Sequence, residues 1–328
     1  MKPSLVSIVI PALNEQESLT PLTEEIEKAC SSTTQYDFEL IFVDDGSRDN
    51  TWKVMHELAE KYSWCRAVRL RRNFGKATAL AVGIEYARGE YVMTLDADLQ
   101  DDPLEGIRLL GKLSPEIDLI CGWKINRRDS FGRRFASKIF NFVTGAVFGT
   151  KLHDGNCGLK VGRSVVFRSV PLYGELHRYI PMIASGLGFR VAEDGVVHRA
   201  RSFGKSKYGL ERIFRGAFDL LTATMITKFR QRPGHLFGGI GVLFGIAGLL
   251  VLTYMTILWF FGVQPIGTRP LFFLGILLLI LGVHFFSSGL LAELILHQGQ
   301  KGVDRDEAVL EIAGLNLKPV DIARSGAR

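Results

Sequence analysis

Apolar and polar positions follow two rhythms over the first two hundred residues and a third near the end of the chain. Val6 to Ile10 is a short apolar run stopped by Pro11, and a helical pattern runs from Glu17 to about Cys30. Phe38 to Val43 reads as a second strand, closed by Asp44-Asp45-Gly46-Ser47, and Asn50 to Lys61 as a helix. Cys65 to Leu70 is strand-like, Lys76 to Ala87 helical, and Tyr91 to Leu95 strand-like again before Asp96-Ala97-Asp98. Strands alternating with helices of this length predict βαβ units in an α/β domain with a mainly parallel sheet. Past Leu119-Ile120-Cys121-Gly122 the pattern loosens, with a helix expected near Phe135 to Phe148. Glu211 to Thr227 places Ile213, Phe214, Ala217, Leu220, Leu221 and Thr224 at helical spacing, which suits a helix lying in a membrane interface or one packed on a core.

The third rhythm is an absence of charge. Leu236 to Gly262 holds no Asp, Glu, Lys or Arg, and in Pro270 to Ala292 the only ionisable side chain is His284. Both runs reach the roughly 20 apolar residues that cross a hydrocarbon layer. Core helices are the alternative, but they rarely stay uncharged for so long. Lys228, Arg230 and Arg232 precede the first run, Lys301 and Arg305 follow the second, and the connector Val263 to Arg269 carries one Arg. The bias toward basic outer flanks predicts a hairpin in the cytoplasmic (inner) membrane with both chain ends in the cytosol. No signal peptide is read at Met1, and Cys30, Cys65, Cys121 and Cys157 have neither metal-ligand nor disulfide-framework spacing.

Charge refines this outline. The net charge is +6, yet residues 236–328 hold six Lys/Arg against six Asp/Glu, so the excess belongs to the first 235 residues. Lys124 to Lys138 and Arg199 to Arg232 carry most of it. A basic surface beside membrane spans points to phosphate or anionic lipid, and no nucleic-acid partner is expected.

Polar clusters follow three strands, at Asn14-Glu15, Asp44-Asp45 and Asp96-Ala97-Asp98, where ligands of parallel sheets bind. Asp96 and Asp98, at i and i+2, can turn their carboxylates to one side. Two such charges are costly unless a cation lies between them. A hard divalent ion, Mg²⁺ or Mn²⁺, fits, with Gln100 a further oxygen donor, although an Asp pair can also cap a turn. Asp44 could receive hydrogen bonds from a base or ribose, and Asp45-Gly46 could equally be a plain turn. No strand leads into Gly-x-Gly-x-x-Gly, the Gly-Lys steps at 75–76 and 204–205 lack the upstream glycine of a phosphate loop, and no Gly-x-Ser-x-Gly elbow occurs.

Taken in order, Ile10-Pro11-Ala12-Leu13-Asn14-Glu15, Val43-Asp44-Asp45-Gly46-Ser47, Asn73-Phe74-Gly75-Lys76, Leu95-Asp96-Ala97-Asp98-Leu99-Gln100, Asp154-Gly155-Asn156-Cys157-Gly158 and Phe203-Gly204-Lys205-Ser206-Lys207-Tyr208 form a specific set spanning roughly residues 10 to 210. The chain thereby resembles the family 2 glycosyltransferases of GT-A fold, in the polyprenyl-phosphate branch related to dolichol-phosphate mannose synthase. The two apolar runs resemble bacterial members with a C-terminal membrane hairpin. The resemblance implies a Rossmann-like GT-A domain over residues 1–210, an amphipathic juxtamembrane region over 211–234, the hairpin over 235–298 and a cytoplasmic tail over 299–328.

It also implies roles. Pro11, Asn14, Glu15, Asp44, Asp45, Lys76, Asp96, Ala97, Arg201 and Lys207 would bind the nucleotide-sugar donor. Asp96, Asp98 and Gln100 would hold the metal, and Arg201 with Lys207 would close over the donor diphosphate. Arg127, Arg128, Arg134 and Ser137 would receive the acceptor phosphate, and Asp154 would lie near the reacting centre, with Asp98 and Arg201 the other groups expected to act in catalysis. The block at 154–158 departs from some relatives between the Asp and the Gly. The expected reaction is inverting: a hexose passes from a UDP- or GDP-linked donor to undecaprenyl or dolichyl phosphate, giving a β-linked product for cell-envelope glycan or glycolipid modification. A processive polysaccharide synthase is the alternative within enzymes, but the Gln-x-x-Arg-Trp motif typical of those is missing. A non-catalytic sugar-nucleotide sensor is disfavoured because both carboxylates of Asp96-Ala97-Asp98 are kept. The sugar, the lipid, a homo-oligomeric state and the purpose of the tail stay open.

Overall fold

The computed structural model describes residues 3–124, 157–197, 233–262, 267–298 and 309–313, with residues 145, 152, 155, 199, 222–225 and 265 between them. Apart from residue 145, the expected helix at 135–148 lies outside the described residues, as does nearly all of the amphipathic segment at 211–227. The chain forms two compact units, Met1–Ala223 with Val303–Arg328, and Thr224–Gly302.

In the first unit β1 (Ser4–Ala12), α1 (Leu19–Cys30), β2 (Tyr36–Asp44), α2 (Thr51–Lys61), β3 (Cys65–Leu70), α3 (Lys76–Tyr86), β4 (Tyr91–Thr94) and α4 (Pro103–Leu110) alternate as expected. There follow β5 (Leu119–Lys124), β6 (Lys160–Arg163), α5 (Ser164–Ser169), a 3-10 turn (Leu176–Tyr179), α6 (Ile180–Gly186) and β7 (Val191–Val196). A last strand, β8 (Val309–Ala313), comes from the tail. The strands make one sheet in the order β7-β5-β6-β4-β1-β2-β3-β8. β1 runs parallel to β2 and β4, β2 to β3, and β5 to β7, whereas β6 lies antiparallel between β4 and β5. β8 closes the β3 edge in antiparallel fashion, pairing Ala313 with Ala67, so the tail supplies an element that the sequence pattern did not give.

The interior strands are apolar on both faces because helices cover both, as parallel sheets require. β1 buries Val6, Ile8, Val9 and Ile10, and β2 buries Leu40, Ile41, Phe42 and Val43. α1 presents Leu19, Leu22, Thr23, Ile26 and Ala29 to the core, an i, i+3/i+4 stripe. A polar network interrupts this core. Glu39 accepts hydrogen bonds from Ser7 Oγ at 2.5 Å, from the Arg88 amide at 2.7 Å and from Arg88 Nε at 2.9 Å, and it pairs with buried Arg66. Burial alone would raise the Glu39 carboxyl, but the Ser7 and Arg88 hydrogen bonds and the Arg66 charge hold it below the usual glutamate range.

The second unit is a pair of helices, α7 (Pro233–Phe260) and α8 (Pro270–Gln298). Leu236–Phe260 and Pro270–Ala292 are long and apolar enough to cross a membrane, and only 11% of each apolar window is buried. A soluble core helix would be mostly covered; here Leu250, Ile280 and Val283 stand exposed, as lipid-facing side chains do. The helices approach closely at small residues: a Cβ on Gly241 would stand 2.7 Å from the Gly282 carbonyl oxygen, and one on Gly248 2.8 Å from the Leu279 nitrogen.

Candidate active site

Parallel pairing sets the carboxyl ends of β1, β2 and β4 beside one another, with Ala12 in register with Asp44. The polar clusters that follow these strands are laced together. Asn14 sits in the left-handed region (φ 56). Its amide donates to Ser47 Oγ at 2.9 Å, and its Oδ1 accepts the Arg48 amide at 2.9 Å. The Glu15 amide donates to Thr51 Oγ1 at 2.8 Å. Asn14 therefore staples the turn after β1 to the turn after β2. Pro11 and Ala97 are buried.

Asp44 is fully buried; its Oδ1 accepts the Ser47 amide at 2.8 Å, and its Oδ2 lies 3.4 Å from Arg69 Nε without a hydrogen-bond donor. Asp45 accepts the Phe74 amide at 2.8 Å and the Gly75 amide at 3.0 Å. Burial pushes its carboxyl up to about 6, against the pull of those two amides. Gly75 takes φ 95, which the absence of a side chain permits, and α3 begins at the next residue. Asp45 thus fixes the loop that delivers Lys76.

Lys76 Nζ donates to Asp96 Oδ1 at 2.5 Å. Burial would raise the Asp96 carboxyl; the charge and hydrogen bond of Lys76, with the charges of Lys124 and Lys160, hold it well below the usual carboxylate range. Asp98 is buried, its Oδ1 3.3 Å from the Gln100 amide. Leu99 takes φ 61, an uncommon conformation for a bulky residue and costing about 1–3 kcal/mol. Gln100 Nε2 donates to the Arg199 carbonyl at 3.4 Å, and the Arg199 amide returns a bond to the Gln100 carbonyl at 2.9 Å. The Arg199 guanidinium bridges Glu25 (2.7 Å) and Asp102 (2.6 Å), while Asp102 Oδ1 caps α4 through the Leu104 amide.

Asp101 and His177, near this loop, escaped the sequence reading, and Gly158 entered it only as the end of the block at 154–158. Asp101 is 3% exposed, and among the described residues neither carboxylate oxygen has a hydrogen-bond partner. Burial lifts its carboxyl to about 6, with Asp96 and Asp98 adding to the rise and Lys124 opposing it. Gly158 touches the same carboxylates: a Cβ there would lie 2.6 Å from Asp96 Cγ and 2.8 Å from Asp101 Oδ2. A cavity of about 10 Å³, the size of one water, is lined by Lys76, Asp96, Gly158, Lys160 and His177. Burial, with the charges of Lys76 and Arg178, holds the His177 imidazole well below its ordinary range. Asp154, Arg201, Lys207, Arg127, Arg128, Arg134 and Ser137 lie outside the described residues.

The donor set fits a hard divalent cation. Asp96, Asp98 and Gln100 offer oxygen atoms from one short loop, and Gly158 leaves bare the space that a Cβ would take from Asp96. Among the described residues no three acidic or imidazole groups yet converge on one point. Asp96 is engaged by Lys76, so a cation would take over part of the charge balance that the ammonium now supplies.

A mixed, mostly parallel sheet with acidic loops at the carboxyl ends of β2 and β4 defines the class: a GT-A glycosyltransferase. The pattern of Glycosyl transferase family 2 matches residues 7–170. The chain is 39% identical to dodecaprenyl-phosphate galacturonate synthase of Rhizobium johnstonii, over 88% of this chain and 87% of the relative. It is 35% identical to undecaprenyl-phosphate 4-deoxy-4-formamido-L-arabinose transferase of Pseudomonas paraeruginosa, over 89% and 86%. Among solved structures it resembles glucosyl-3-phosphoglycerate synthase from Mycobacterium tuberculosis with Mn²⁺, UDP-glucose and phosphoglyceric acid, at TM-score 0.51 and 20% identity, over 67% of this chain and 80% of that one. This chain belongs to glycosyl transferase family 2.

Proposed function

We propose that this protein transfers a sugar from a nucleotide donor to the phosphate of a polyprenyl phosphate at the cytoplasmic face of a membrane. One observation carries the reading: the match to two polyprenyl-phosphate sugar transferases covers 88–89% of the chain. A match of that extent must pass residue 223, the end of the first unit's main stretch, and enter the hairpin. Catalytic sheet and membrane anchor are therefore shared with those relatives together, as an acceptor with a hydrocarbon tail demands.

In this reading Asp96, Asp98 and Gln100 hold Mg²⁺ or Mn²⁺, which supplies positive charge to the departing diphosphate. Asp45 and Gly75 fix Lys76 beside Asp96, where its ammonium balances the carboxylates until donor and cation arrive. Asn14, Glu15 and Asp44 line the nucleotide side from the turns after β1 and β2. Arg201 and Lys207 close over the diphosphate, and Arg127, Arg128, Arg134 and Ser137 receive the lipid phosphate. A phosphate monoester loses its second proton near pH 6, so the acceptor is already nucleophilic in the cytosol. Asp154 then orients groups at the reacting centre rather than acting as an obligatory base. A single in-line displacement inverts the anomeric carbon and gives a β-linked product from an α-linked donor.

The basic flanks Lys228, Arg230, Arg232, Lys301 and Arg305 support a hairpin with both ends in the cytosol. The return of the chain to the first unit at β8 agrees with that topology. The test is a donor panel. Detergent-purified protein with Mn²⁺ and undecaprenyl phosphate is offered labelled UDP- and GDP-sugars, including uronic acid and amino-pentose donors. Label in the organic phase from one donor, with inverted anomeric configuration by NMR, supports the reading. Donor hydrolysis without lipid-bound label from any donor would sink it.

A further inference from the structure

Asp101 is placed where an ordinary structural aspartate would be costly. It is 3% exposed, and among the described residues neither oxygen meets a donor. The neighbouring acid, Asp102, takes the structural tasks, capping α4 through the Leu104 amide and pairing with Arg199. Asp101 is thus free of both duties that usually explain an acidic residue before a helix. A buried carboxylate with no partner costs more than a neutral orphan does.

Its surroundings make the cost larger. Asp101 Oδ2 and Asp96 Oδ1 both come within 2.8 Å of the point where a Cβ on Gly158 would stand. Two carboxylates so placed repel unless a cation lies near both. Lys76 donates to Asp96, and the charges of Lys124 and Lys76 pull on Asp101 as well, yet among the described residues neither Asp101 oxygen accepts a hydrogen bond. The bare Cα of Gly158 leaves the gap between the two acids open, and Leu99 (φ 61) bends the chain so that Asp98 and Asp101 leave the same short loop. An orphaned buried acid facing another across a glycine is the arrangement expected of a site completed by a cation.

We propose that Asp101 supplies a third carboxylate to the divalent cation held by Asp96 and Asp98. The inference rests on the metal reading above and extends it to a residue which that reading does not need. The carboxylates do not already converge, so the cation draws them together as Asp96 exchanges its contact with Lys76.

The test measures Mn²⁺ binding to the full-length protein in detergent, by electron paramagnetic resonance, for Mn²⁺ alone and with UDP or GDP. Wild type, Asp101→Asn, Asp101→Ser and Asp98→Ala are compared, with metal-free Tm recorded for each. Asp101→Asn and Asp101→Ser should weaken Mn²⁺ binding at least about 10-fold, the usual minimum for loss of a ligand or its support. Their metal-free Tm should equal or exceed that of wild type, because a repelled buried charge is gone. Binding within twofold of wild type would overturn the proposal, as would a fall of several degrees in metal-free Tm, which would assign the carboxylate to the fold. Wild-type protein that takes up no Mn²⁺, alone or with nucleotide, would overturn the metal reading and this inference with it. Equal binding by wild type and Asp101→Asn would overturn the inference alone.

Discussion

Gly158 offers a sharp perturbation of the acidic loop, because one methyl group there meets two of its carboxylates. In Gly158→Ala the new Cβ would stand 2.6 Å from Asp96 Cγ, 2.7 Å from Asp96 Oδ1 and 2.8 Å from Asp101 Oδ2. Carbon contacts settle near 3.5–4.0 Å, so Asp96 must recede by about 1 Å. The backbone cannot easily give way instead, since the Gly158 carbonyl accepts Thr94 Oγ1 at 2.7 Å and Leu159 is fully buried. Overpacking of this kind costs about 1–3 kcal/mol, or a Tm drop of roughly 2–10 °C for a domain of this size. A 1 Å error at a reacting site costs about 10²-fold in rate. Gly111→Ala is the control: its Cβ would meet only the Arg108 and Ile107 carbonyl oxygens at 3.6 and 3.9 Å, and φ is already −66°. Sugar transfer and Tm are measured for both variants at saturating Mn²⁺. The expectation is a rate loss of about 10²-fold with a lowered Tm for Gly158→Ala, and wild-type behaviour within about 0.5 kcal/mol for Gly111→Ala. A Gly158→Ala enzyme with unchanged Tm and a rate within threefold of wild type would refute the packing reasoning.

Glu39→Gln leaves the buried Arg66 guanidinium facing a neutral amide and should destabilise the first unit by about 3 kcal/mol in a denaturant titration. Because the folded Glu39 carboxyl is held below its usual value, its stabilisation is present above about pH 4.3 and fades as pH falls through the folded value. The Tm of Glu39→Gln should accordingly fall less steeply than that of wild type below pH 4.3, and parallel slopes would count against the network. Thr268→Cys, in the connector between the apolar helices, should react with a membrane-impermeant maleimide added outside intact cells. The four native cysteines should stay unlabelled; labelling of residue 268 only after lysis would reverse the topology.

The sequence exposed the repeating units and the membrane helices because both depend on local periodicity. The observed β3 coincides with the strand-like stretch Cys65 to Leu70, and the second candidate span with the run Pro270 to Ala292, which holds no Lys, Arg or Asp and no Glu before its end. Elements made by distant partners were not legible. β6 is Lys160-Val161-Gly162-Arg163, four residues with a charge at each end, and becomes a strand by fitting between β4 and β5. β7 reads Val191-Ala192-Glu193-Asp194-Gly195-Val196, mostly half-buried at the sheet edge, and β8 pairs with a strand some 240 residues earlier. The same limit applied at the site. Asp96 and Asp98 announced themselves by spacing after a strand, whereas Asp101 and Asp102 look alike in sequence. Only the fold shows that one caps α4 while the other is buried without a hydrogen-bond partner among the described residues. Asn14 and Asp45, read as donor contacts, take backbone hydrogen bonds that shape the loops. His177 reaches the site from a segment with no recognisable pattern, and Arg199 opens the basic stretch Arg199 to Arg232 without its own role being legible there.

In the proposed reaction the phosphate of a polyprenyl lipid accepts the sugar under the control of the acidic loop. The most direct measurement offers the purified protein undecaprenyl phosphate in one reaction and the parent alcohol, undecaprenol, in another, each with the donor that gives the highest turnover, Mn²⁺ and an Asp98→Ala control. Label should enter the organic phase with the phosphate alone, and Asp98→Ala should abolish it. Equal labelling of undecaprenol, or full transfer by Asp98→Ala, would contradict the account.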